Sequence, residues 1–338
     1  MPKRVCILGG GSFGTVIARI VASNLTKTEA SEEHIFHPTL NLWVRRQSLA
    51  DQINSTHENS EYVPGSPIPS NVVANSEIGT VLDGADVIIV AIPHTYITKD
   101  ILKAINERCN QSADVVHVVS LVKGVYYDED SKVLTRVTEF LHQSLNGETS
   151  NSNSNGNSNG RKFAISLVMG ANVSHQMGRD EFAESTLACP TPDDAPMLHA
   201  IFHDPDRFHI SLTPDVAGVE FCGILKNVVA LGVGYALGSD LGSNTQAAII
   251  RRGLKEIIKF SKTYGGDRVR DETFFESAGI ADLMTTCFCG RGRMLAKAFV
   301  KHDGKVGWRE LEKEILGGQQ IPDWHNAQMV YKFLKGRG

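Results

Sequence analysis

A single lysine stands in a long apolar stretch of the chain. Between Glu220 and Asp240, Lys226 is the only charged side chain. A helix that is apolar on all faces is a buried helix, and an ammonium group in it needs partners or a lowered pKa. A lysine whose pKa falls toward neutrality can act as a general acid or base. The alternative is a lysine whose stem packs in the core while its amine reaches solvent.

A glycine-rich turn near the N-terminus offers a second kind of chemistry. The β-branched run Arg4–Leu8 leads into the turn, and Thr15–Ser23 follows with helical spacing of its apolar residues. This strand–turn–helix pattern with G-x-G-x-x-G spacing is typical of a dinucleotide site, with the pyrophosphate at the helix N-terminus. The predicted cofactor-binding residues of the turn are Gly9, Gly10, Gly11, Ser12, Phe13 and Gly14.

The same turn also fits the G-x-S-x-G nucleophile elbow, with Ser12 as nucleophile. That interpretation needs an upstream strand and loop to supply an oxyanion hole. Only eight residues precede Gly9, so the sequence disfavours it.

Polar side chains follow the predicted strands of the N-terminal half. Arg45 and Arg46 follow Leu40–Val44, where an acidic residue would bind the ribose of NAD. Arginines there can instead meet the 2′-phosphate of NADP, stack on the adenine or remain solvated, and the sequence leaves these alternatives open.

The loops after the next two strands carry further candidates, because ligands of an open parallel sheet bind beyond the strand C-termini. Asp86–Ile92 leads to Tyr96, a candidate wall of the cofactor pocket. His94 in that loop fits a structural role better than a catalytic one. Asp114–Leu121 leads to Lys123, a candidate for holding phosphate or substrate.

Two segments of the C-terminal half add charged candidates. Asp282 lies in the otherwise neutral segment Ala278–Thr286, where it can polarise Lys226 or cap a helix. Arg291 and Arg293 lie in the predicted glycine-softened loop 287–293, and a forked guanidinium suits phosphate.

Strand and helix patterns alternate up to Leu212 and predict an α/β, doubly wound, Rossmann-like domain over 1–212. It contains an Asn/Ser/Gly-rich stretch, 146–160, predicted to be a flexible loop. From Pro214 onward strand signals stop, and 213–338 is predicted to be an all-helical substrate-binding and catalytic domain. Its predicted helices are Asp215–Gly238, Thr245–Tyr264, Ala278–Leu283, Met294–Val300 and Trp308–Leu316.

Composition restricts the class of protein. With 338 residues, 41% hydrophobic, 21% charged and a net charge of −4, the chain reads as globular, and no global basic surface suggests nucleic acid. The six cysteines form no CxxC pair and have no zinc-type histidine spacing, so no metal site is predicted and a reducing compartment is favoured. No signal peptide or membrane-spanning stretch is evident, which predicts a cytoplasmic protein.

Segments spread over nearly the whole chain are similar to NAD-dependent glycerol-3-phosphate dehydrogenases of the eukaryotic cytosolic type. The most specific are Leu225–Val229 and Ala281–Leu283. The others are Val5–Gly14, Ile53–Asn59, Tyr62–Gly65, Pro93–His94, Lys123–Gly124, Met169–Asn172, Glu220–Val229, Asn244–Gly253, Gly279–Cys287 and Gly317–Gln319.

The resemblance implies reversible reduction of dihydroxyacetone phosphate to sn-glycerol 3-phosphate by NADH, with Lys226 as proton donor and acceptor and Asp282 beside it. It implies NAD as cofactor, although Arg45 and Arg46 keep NADP open, and a homodimer. The implied substrate-binding residues are Lys123, Asn227, Thr286, Arg291 and Gly292. The implied cofactor-binding residues, besides the glycine turn, are Tyr96, Lys123, Ala171, Arg291 and Gln320.

The chain departs from this family in a few places. Gly292 stands where the family usually has asparagine, Arg45 where it often has an aromatic residue, and Gln320 and Pro322 where it tends to have lysine and glutamine. The sequence ends at Gly338, before the family's usual terminal helix, as expected of a truncated form or one part of a longer polypeptide. A β-hydroxyacid dehydrogenase and a non-catalytic dinucleotide sensor are the rival interpretations.

Overall fold

A computed structural model describes residues 1–27, 35–109, 115–147 and 163–337. The chain divides into two compact units. Unit 1 comprises Met1–Val122, Val137–Val168 and Asn172–Leu212; unit 2 comprises Lys123–Arg136, Met169–Ala171 and Thr213–Gly338. The predicted flexible loop 146–160 falls, except for its first two residues, outside the described residues.

Unit 1 is built on an eight-stranded sheet. The strands are β1 (Lys3–Leu8), β2 (Phe36–Trp43), β3 (Val72–Asn75), β4 (Ala85–Val90), β5 (Val116–Ser120), β8 (Phe163–Ala171), β9 (Ala183–Ala188) and β10 (Phe208–Thr213). Their order in the sheet is β10-β9-β8-β5-β4-β1-β2-β3. Six of these strands, from β8 to β3, are joined by parallel pairs. They alternate with helices, as expected of a doubly wound α/β fold.

The order in which successive strands join the sheet reverses at β1. The chain runs from β1 to β2 and β3 on one side, and then returns to place β4 on the other side of β1. Val5 pairs with Leu40 on one side and with Val87 on the other. In open parallel sheets a ligand crevice forms beyond the strand C-termini at this switch point.

Helices cover the sheet, and their buried apolar faces form one core with it. The first helix begins at Ser12, directly after the glycine turn, and buries Val16, Ile17, Ile20 and Val21, the face that the helical spacing predicts. The helices of unit 1 are α1 (Ser12–Lys27), α2 (Gln47–Thr56), α3 (Ile78–Leu82), α4 (Lys99–Cys109), α5 (Val137–Asn146), α6 (Ser174–Met177) and α7 (Ala195–Phe202).

Unit 2 is mostly helical but contains a small sheet that the sequence did not predict. Strands β6 (Val125–Tyr127) and β7 (Leu134–Arg136) form an antiparallel pair, and both come from the segment assigned by sequence to the first domain. The prediction that 213–338 is helical is confirmed, since the described residues after Thr213 form helices and no strand. The hairpin joins unit 2 from an earlier part of the chain. The helices are α8 (Val216–Gly238), α9 (Ser243–Tyr264), α10 (Asp282–Cys289), α11 (Arg291–Lys301), α12 (Trp308–Leu316) and α13 (Asp323–Lys335).

The apolar stretch around Lys226 is a helix, α8, held at its start by Asp215. The buried carboxylate of Asp215 accepts hydrogen bonds from Gly218 N (2.7 Å), Arg270 N (2.8 Å) and Thr273 Oγ1 (2.7 Å). By length and composition α8 could cross a membrane, contrary to the sequence prediction, but 78% of its most apolar window is buried within the protein. It is the core helix of unit 2.

Candidate active site

The glycine turn after β1 has the geometry of a phosphate-binding loop. Gly9 has φ +122°, a conformation that favours glycine, and a Cβ on Gly14 would lie 1.9 Å from Gly9 O. A Cβ on Gly11 would meet nothing within 4 Å. The turn is thus closed where helix meets strand and open at the N-terminus of α1, where backbone N–H groups can receive a pyrophosphate.

Asn59 braces this turn and was missed by sequence reasoning. Its fully buried side chain donates from Nδ2 to Gly10 O (2.9 Å) and to Thr15 Oγ1 (2.8 Å). Ser12 Oγ also donates to Tyr62 O at 3.2 Å. A loop 50 residues away in sequence therefore fixes the turn, and no local pattern around Asn59 signals this role.

Lys226 is buried and bonded, as the apolar helix predicts. Its side chain is 7% exposed, and Nζ donates to a carboxylate oxygen of Asp282 and to Thr286 Oγ1 at 2.7 Å. Lys123 Nζ donates to the other oxygen of the same carboxylate, Asp282 Oδ2, at 2.8 Å. Asp282 therefore lies between two ammonium groups rather than acting as a helix cap.

Burial lowers the pKa of Lys226 to about 8. Desolvation disfavours the charged amine most strongly, the Asp282 carboxylate opposes this by raising the pKa, and the charge of Lys123 lowers it again. A lysine with such a pKa exchanges protons near neutral pH.

A π-helical turn, Ser277–Ala281, leads into α10 and sets the position of Asp282. Such turns are rare and frequently occur at functional sites. In the same turn Ser277 Oγ accepts a hydrogen bond from Ala171 N (3.3 Å). Ala171 and Lys123 are thereby placed in unit 2 with Lys226, although both precede Leu212 in the chain.

The two candidate arginines lie on a helix, not in the predicted loop. α10 ends at Cys289, and α11 begins at Arg291 after Gly290 alone. Arg293 Nη2 donates to Phe288 O in the last turn of α10, which is a structural contact. Arg291 is exposed in the first turn of α11, where a helix N-terminus and a guanidinium can both attract an anion.

Comparison with known proteins identifies the family of this chain. Residues 4–195 match the NAD-dependent glycerol-3-phosphate dehydrogenase N-terminus model, and residues 215–338 match the C-terminus model. The chain is 36% identical over 343 residues to the cytoplasmic NAD(+) glycerol-3-phosphate dehydrogenase of Rattus norvegicus, covering 99% of this chain and 89% of the relative. This chain belongs to the NAD-dependent glycerol-3-phosphate dehydrogenase family.

Solved structures agree with this assignment. Glycerol-3-phosphate dehydrogenase from Saccharomyces cerevisiae has a TM-score of 0.82 and 32% identity, covering 99% of this chain and 91% of that one. The DsGPDH structure of Dunaliella salina has a TM-score of 0.86 and 29% identity. This chain is covered completely in that comparison but spans only 55% of the Dunaliella chain.

One departure from the glycerol-3-phosphate dehydrogenase pattern has a structural reason. A Cβ on Gly292 would lie 2.4 Å from Asp323 Oδ1, so the carboxyl of Asp323 occupies the space that a side chain at 292 would need. Asp323 begins α13, a helix that the sequence did not predict, and it is 8% exposed. Burial raises its pKa, while the charges of Arg291, Lys226 and Lys123 oppose this.

The other predicted residues are placed as follows. Asn227 is buried on α8 beside Lys226, and Gln320 is exposed between α12 and α13. Tyr96 is 57% exposed at the end of a 3₁₀ turn, in the segment that follows β4. No metal-binding group of three or more His, Cys, Asp or Glu occurs among the described residues.

The arginines after β2 differ in their surroundings. Arg46 forms an ion pair with the exposed Glu61, whereas Arg45 is exposed with no ion pair among the described residues. A 2′-phosphate at Arg46 would have to compete with the Glu61 carboxylate. In the described part of the chain Arg45 has no such competitor, so the assignment of NAD rests on the family and not on this contact.

Proposed function

We propose that this protein catalyses the reversible reduction of dihydroxyacetone phosphate to sn-glycerol 3-phosphate by NADH, with Lys226 as proton donor. The observation that carries the proposal is the buried Lys226–Asp282 pair, with Thr286 and Lys123 completing its hydrogen bonds. Family membership supplies the substrate class. We further propose a cytoplasmic homodimer, as family likeness suggests.

NADH supplies the hydride when bound, and the protein supplies position and charge. Reduction of a ketone develops negative charge on its oxygen. A protonated Lys226 in a water-poor site stabilises that charge and transfers its proton to the oxygen. Asp282 and Thr286 hold the amine in place, so that in the oxidation direction the neutral amine can accept the proton.

The substrate phosphate is assigned to cationic groups at the edge of this network. Lys123 and Arg291 provide charge, while Asn227 is placed for the substrate's polar groups. The binding energy of the phosphate, which is remote from the carbonyl, can be used to orient the substrate and so to stabilise the transition state. In unit 1, the residues of the glycine turn, with Tyr96, are proposed to hold the dinucleotide.

The test is oxidation of NADH, and separately of NADPH, on addition of dihydroxyacetone phosphate. In the reverse direction, reduction of NAD is followed with glycerol 3-phosphate and, for the rival interpretation, with β-hydroxyacids. We expect oxidation of NADH with dihydroxyacetone phosphate and reduction of NAD with glycerol 3-phosphate, and no reduction of NAD with β-hydroxyacids. The variant Lys226→Met should lose turnover by about 10³-fold or more while retaining its fold and NADH affinity. Near-normal turnover in that variant would disprove the role of Lys226.

A further inference from the structure

The inward face of α13 changes character along its length. Its buried residues follow helical spacing: Asp323, Asn326, Val330 and Phe333. The second half is anchored in the core of unit 2, where the Phe333 ring lies 4.9 Å from that of Tyr264 and 6.0 Å from that of Phe260. The first half instead turns a carboxyl and a carboxamide inward.

The carboxamide of Asn326 has no partner. The residue is 0% exposed, and among the described residues neither Nδ2 nor Oδ1 has a hydrogen-bond partner. A buried, unsatisfied polar group is costly, and in a native protein it calls for an explanation. One such explanation is a functional role, in which a bound molecule completes the hydrogen bonds.

The neighbours of Asp323 on the same helix face suggest the chemistry of such a ligand. Asp323, one turn earlier on the same face, packs its carboxyl against Gly292 at the first turn of α11. It lies close enough to Arg291, Lys226 and Lys123 for their charges to act on it. Asn326 is the next buried polar residue after Asp323 on α13, and Gly292 contributes no side chain to the space beside Asp323.

We propose that Asn326 is a substrate-binding residue, whose Nδ2 donates a hydrogen bond to the substrate phosphate beside Arg291. The inference rests on the proposed function, because that function provides the phosphate. An amide suits this position because it donates without adding charge, and the neighbouring Asp323 carboxyl already offsets part of the positive charge. Oδ1 remains available to accept a hydrogen bond from Arg291 or from a substrate hydroxyl.

The experiment compares Asn326→Leu, which is nearly isosteric, with Asn326→Ala and with Gln328→Ala. Gln328 is an exposed amide on the same helix and serves as the matched control. Each variant is assayed with dihydroxyacetone phosphate and with unphosphorylated dihydroxyacetone, and its NADH affinity and Tm are measured.

We expect Asn326→Leu and Asn326→Ala to raise KM for dihydroxyacetone phosphate by about 10-fold or more, as loss of a hydrogen bond to a charged group does. The NADH affinity and the kcat/KM for dihydroxyacetone should stay within about twofold of the unmodified protein, the ordinary scatter of context effects. The Tm of Asn326→Leu should be unchanged or higher, because an unsatisfied buried group is removed. Gln328→Ala should change none of these.

A KM for dihydroxyacetone phosphate that is unchanged in both Asn326 variants would overturn the inference, whatever their Tm. An equal loss with the two substrates would also overturn it, because the effect would then not concern the phosphate. Failure of the unmodified protein to turn over dihydroxyacetone phosphate would instead reject the proposed function, so the two failures are distinguishable.

Discussion

At the scale of single residues, the chemistry depends on the pKa of Lys226, on which burial and neighbouring charges act in opposite directions. Desolvation lowers its pKa, and the adjacent Asp282 carboxylate limits the fall, leaving a value of about 8. The amine is therefore mostly protonated at pH 7 but can lose its proton in a mildly alkaline medium. One residue can in this way serve both directions of a reversible reaction.

This balance predicts opposite pH profiles for the two directions. Reduction needs protonated Lys226, so its kcat/KM, which reports the pKa of the free enzyme, should fall about tenfold per pH unit above a pKa of about 8. Oxidation of glycerol 3-phosphate needs the neutral amine and should rise through the same pH range. Rate measurements from pH 6 to 10 in both directions check this.

The variant Asp282→Asn tests whether Asp282 sets the pKa of Lys226. Because Asp282 raises the pKa of Lys226, its removal should move the alkaline limb of reduction to lower pH. It should also cost about 3 kcal/mol of stability or more, since two ammonium groups lose their shared carboxylate. An alkaline limb that stayed in place in an active, folded Asp282→Asn enzyme would contradict this account.

Sequence reasoning found the residues whose role can be recognised from their immediate neighbours in the sequence. Lys226 stands out because everything near it in sequence is apolar, and the glycine turn because strand, turn and helix are contiguous. Asn59, Asp323 and Asn326 could not be found in this way. Asn59 contacts Thr15, 44 residues away, and Asp323 occupies space left by the missing side chain at Gly292. The role proposed for Asn326 depends on its burial in the folded chain, which no local pattern reveals.

At the scale of elements, α8 is the helix against which unit 2 is assembled, and its glycines let neighbours approach. A Cβ on Gly234 would lie 2.4 Å from Arg293 O and 2.6 Å from the Cβ of Ala296. A Cβ on Gly238 would lie 2.5 Å from the Cβ of Val300. The backbone of α11, whose first residue is Arg291, is therefore seated directly on the backbone of α8.

This packing predicts that Gly234→Ala displaces α11. The gain of about 1 kcal/mol in helix propensity should be outweighed by an overpacking cost of about 1–3 kcal/mol. KM for dihydroxyacetone phosphate should rise severalfold as Arg291 shifts, with little change in NADH affinity. Denaturant unfolding and steady-state kinetics provide the measurements.

Gly232→Ala is the matched control, on the same helix and with the same substitution. Its Cβ would meet only Ile249 Cγ2 at 3.5 Å, an ordinary contact. The control should be as stable as the unmodified protein or slightly more stable. Equal behaviour of the two variants would show that α11 does not depend on the glycine at 234.

Elements with a strong periodic signal were predicted well, including α12 over Trp308–Leu316, whereas β6, β7 and α13 were missed. The strand and helix flanking the glycine turn, and the helix around Lys226, follow directly from hydrophobic pattern. The pair β6–β7 was missed because each strand has three residues. Helix α13 was missed because the inward face of its first half is polar, at Asp323 and Asn326, which hides the amphipathic pattern.

At the scale of the whole molecule, neither unit is a single continuous stretch of the chain. Lys123–Arg136 and Met169–Ala171 belong to unit 2, although unit 1 residues precede and follow both. Composition and periodicity cannot reveal this, because both segments look like ordinary loops or strand ends of an α/β domain. Two proposed site residues, Lys123 and Ala171, come from these segments. The proposed site in unit 2 therefore needs both segments.

The division predicts that a fragment of residues 1–212 will not behave as an independent domain. Val125 is 1% exposed and, with the partly buried Tyr127 and Leu134, packs into the core formed by α8, α9 and α13. Without residues 213–337 these side chains would lose their packing, at about 2 kcal/mol for each one that is well buried. We expect this fragment to bind a hydrophobic dye and to aggregate in size-exclusion chromatography.

The control is the same fragment with Val125, Tyr127 and Leu134 replaced by serine. If the exposed hairpin causes the aggregation, this fragment should be monomeric and should still bind NADH, because the glycine turn and its brace, Asn59, lie wholly in unit 1. A monomeric, dye-negative fragment without the replacements would contradict the assignment of β6–β7 to the core of unit 2. Loss of NADH binding in the monomeric serine fragment would instead show that the turn needs more than the contacts made within unit 1.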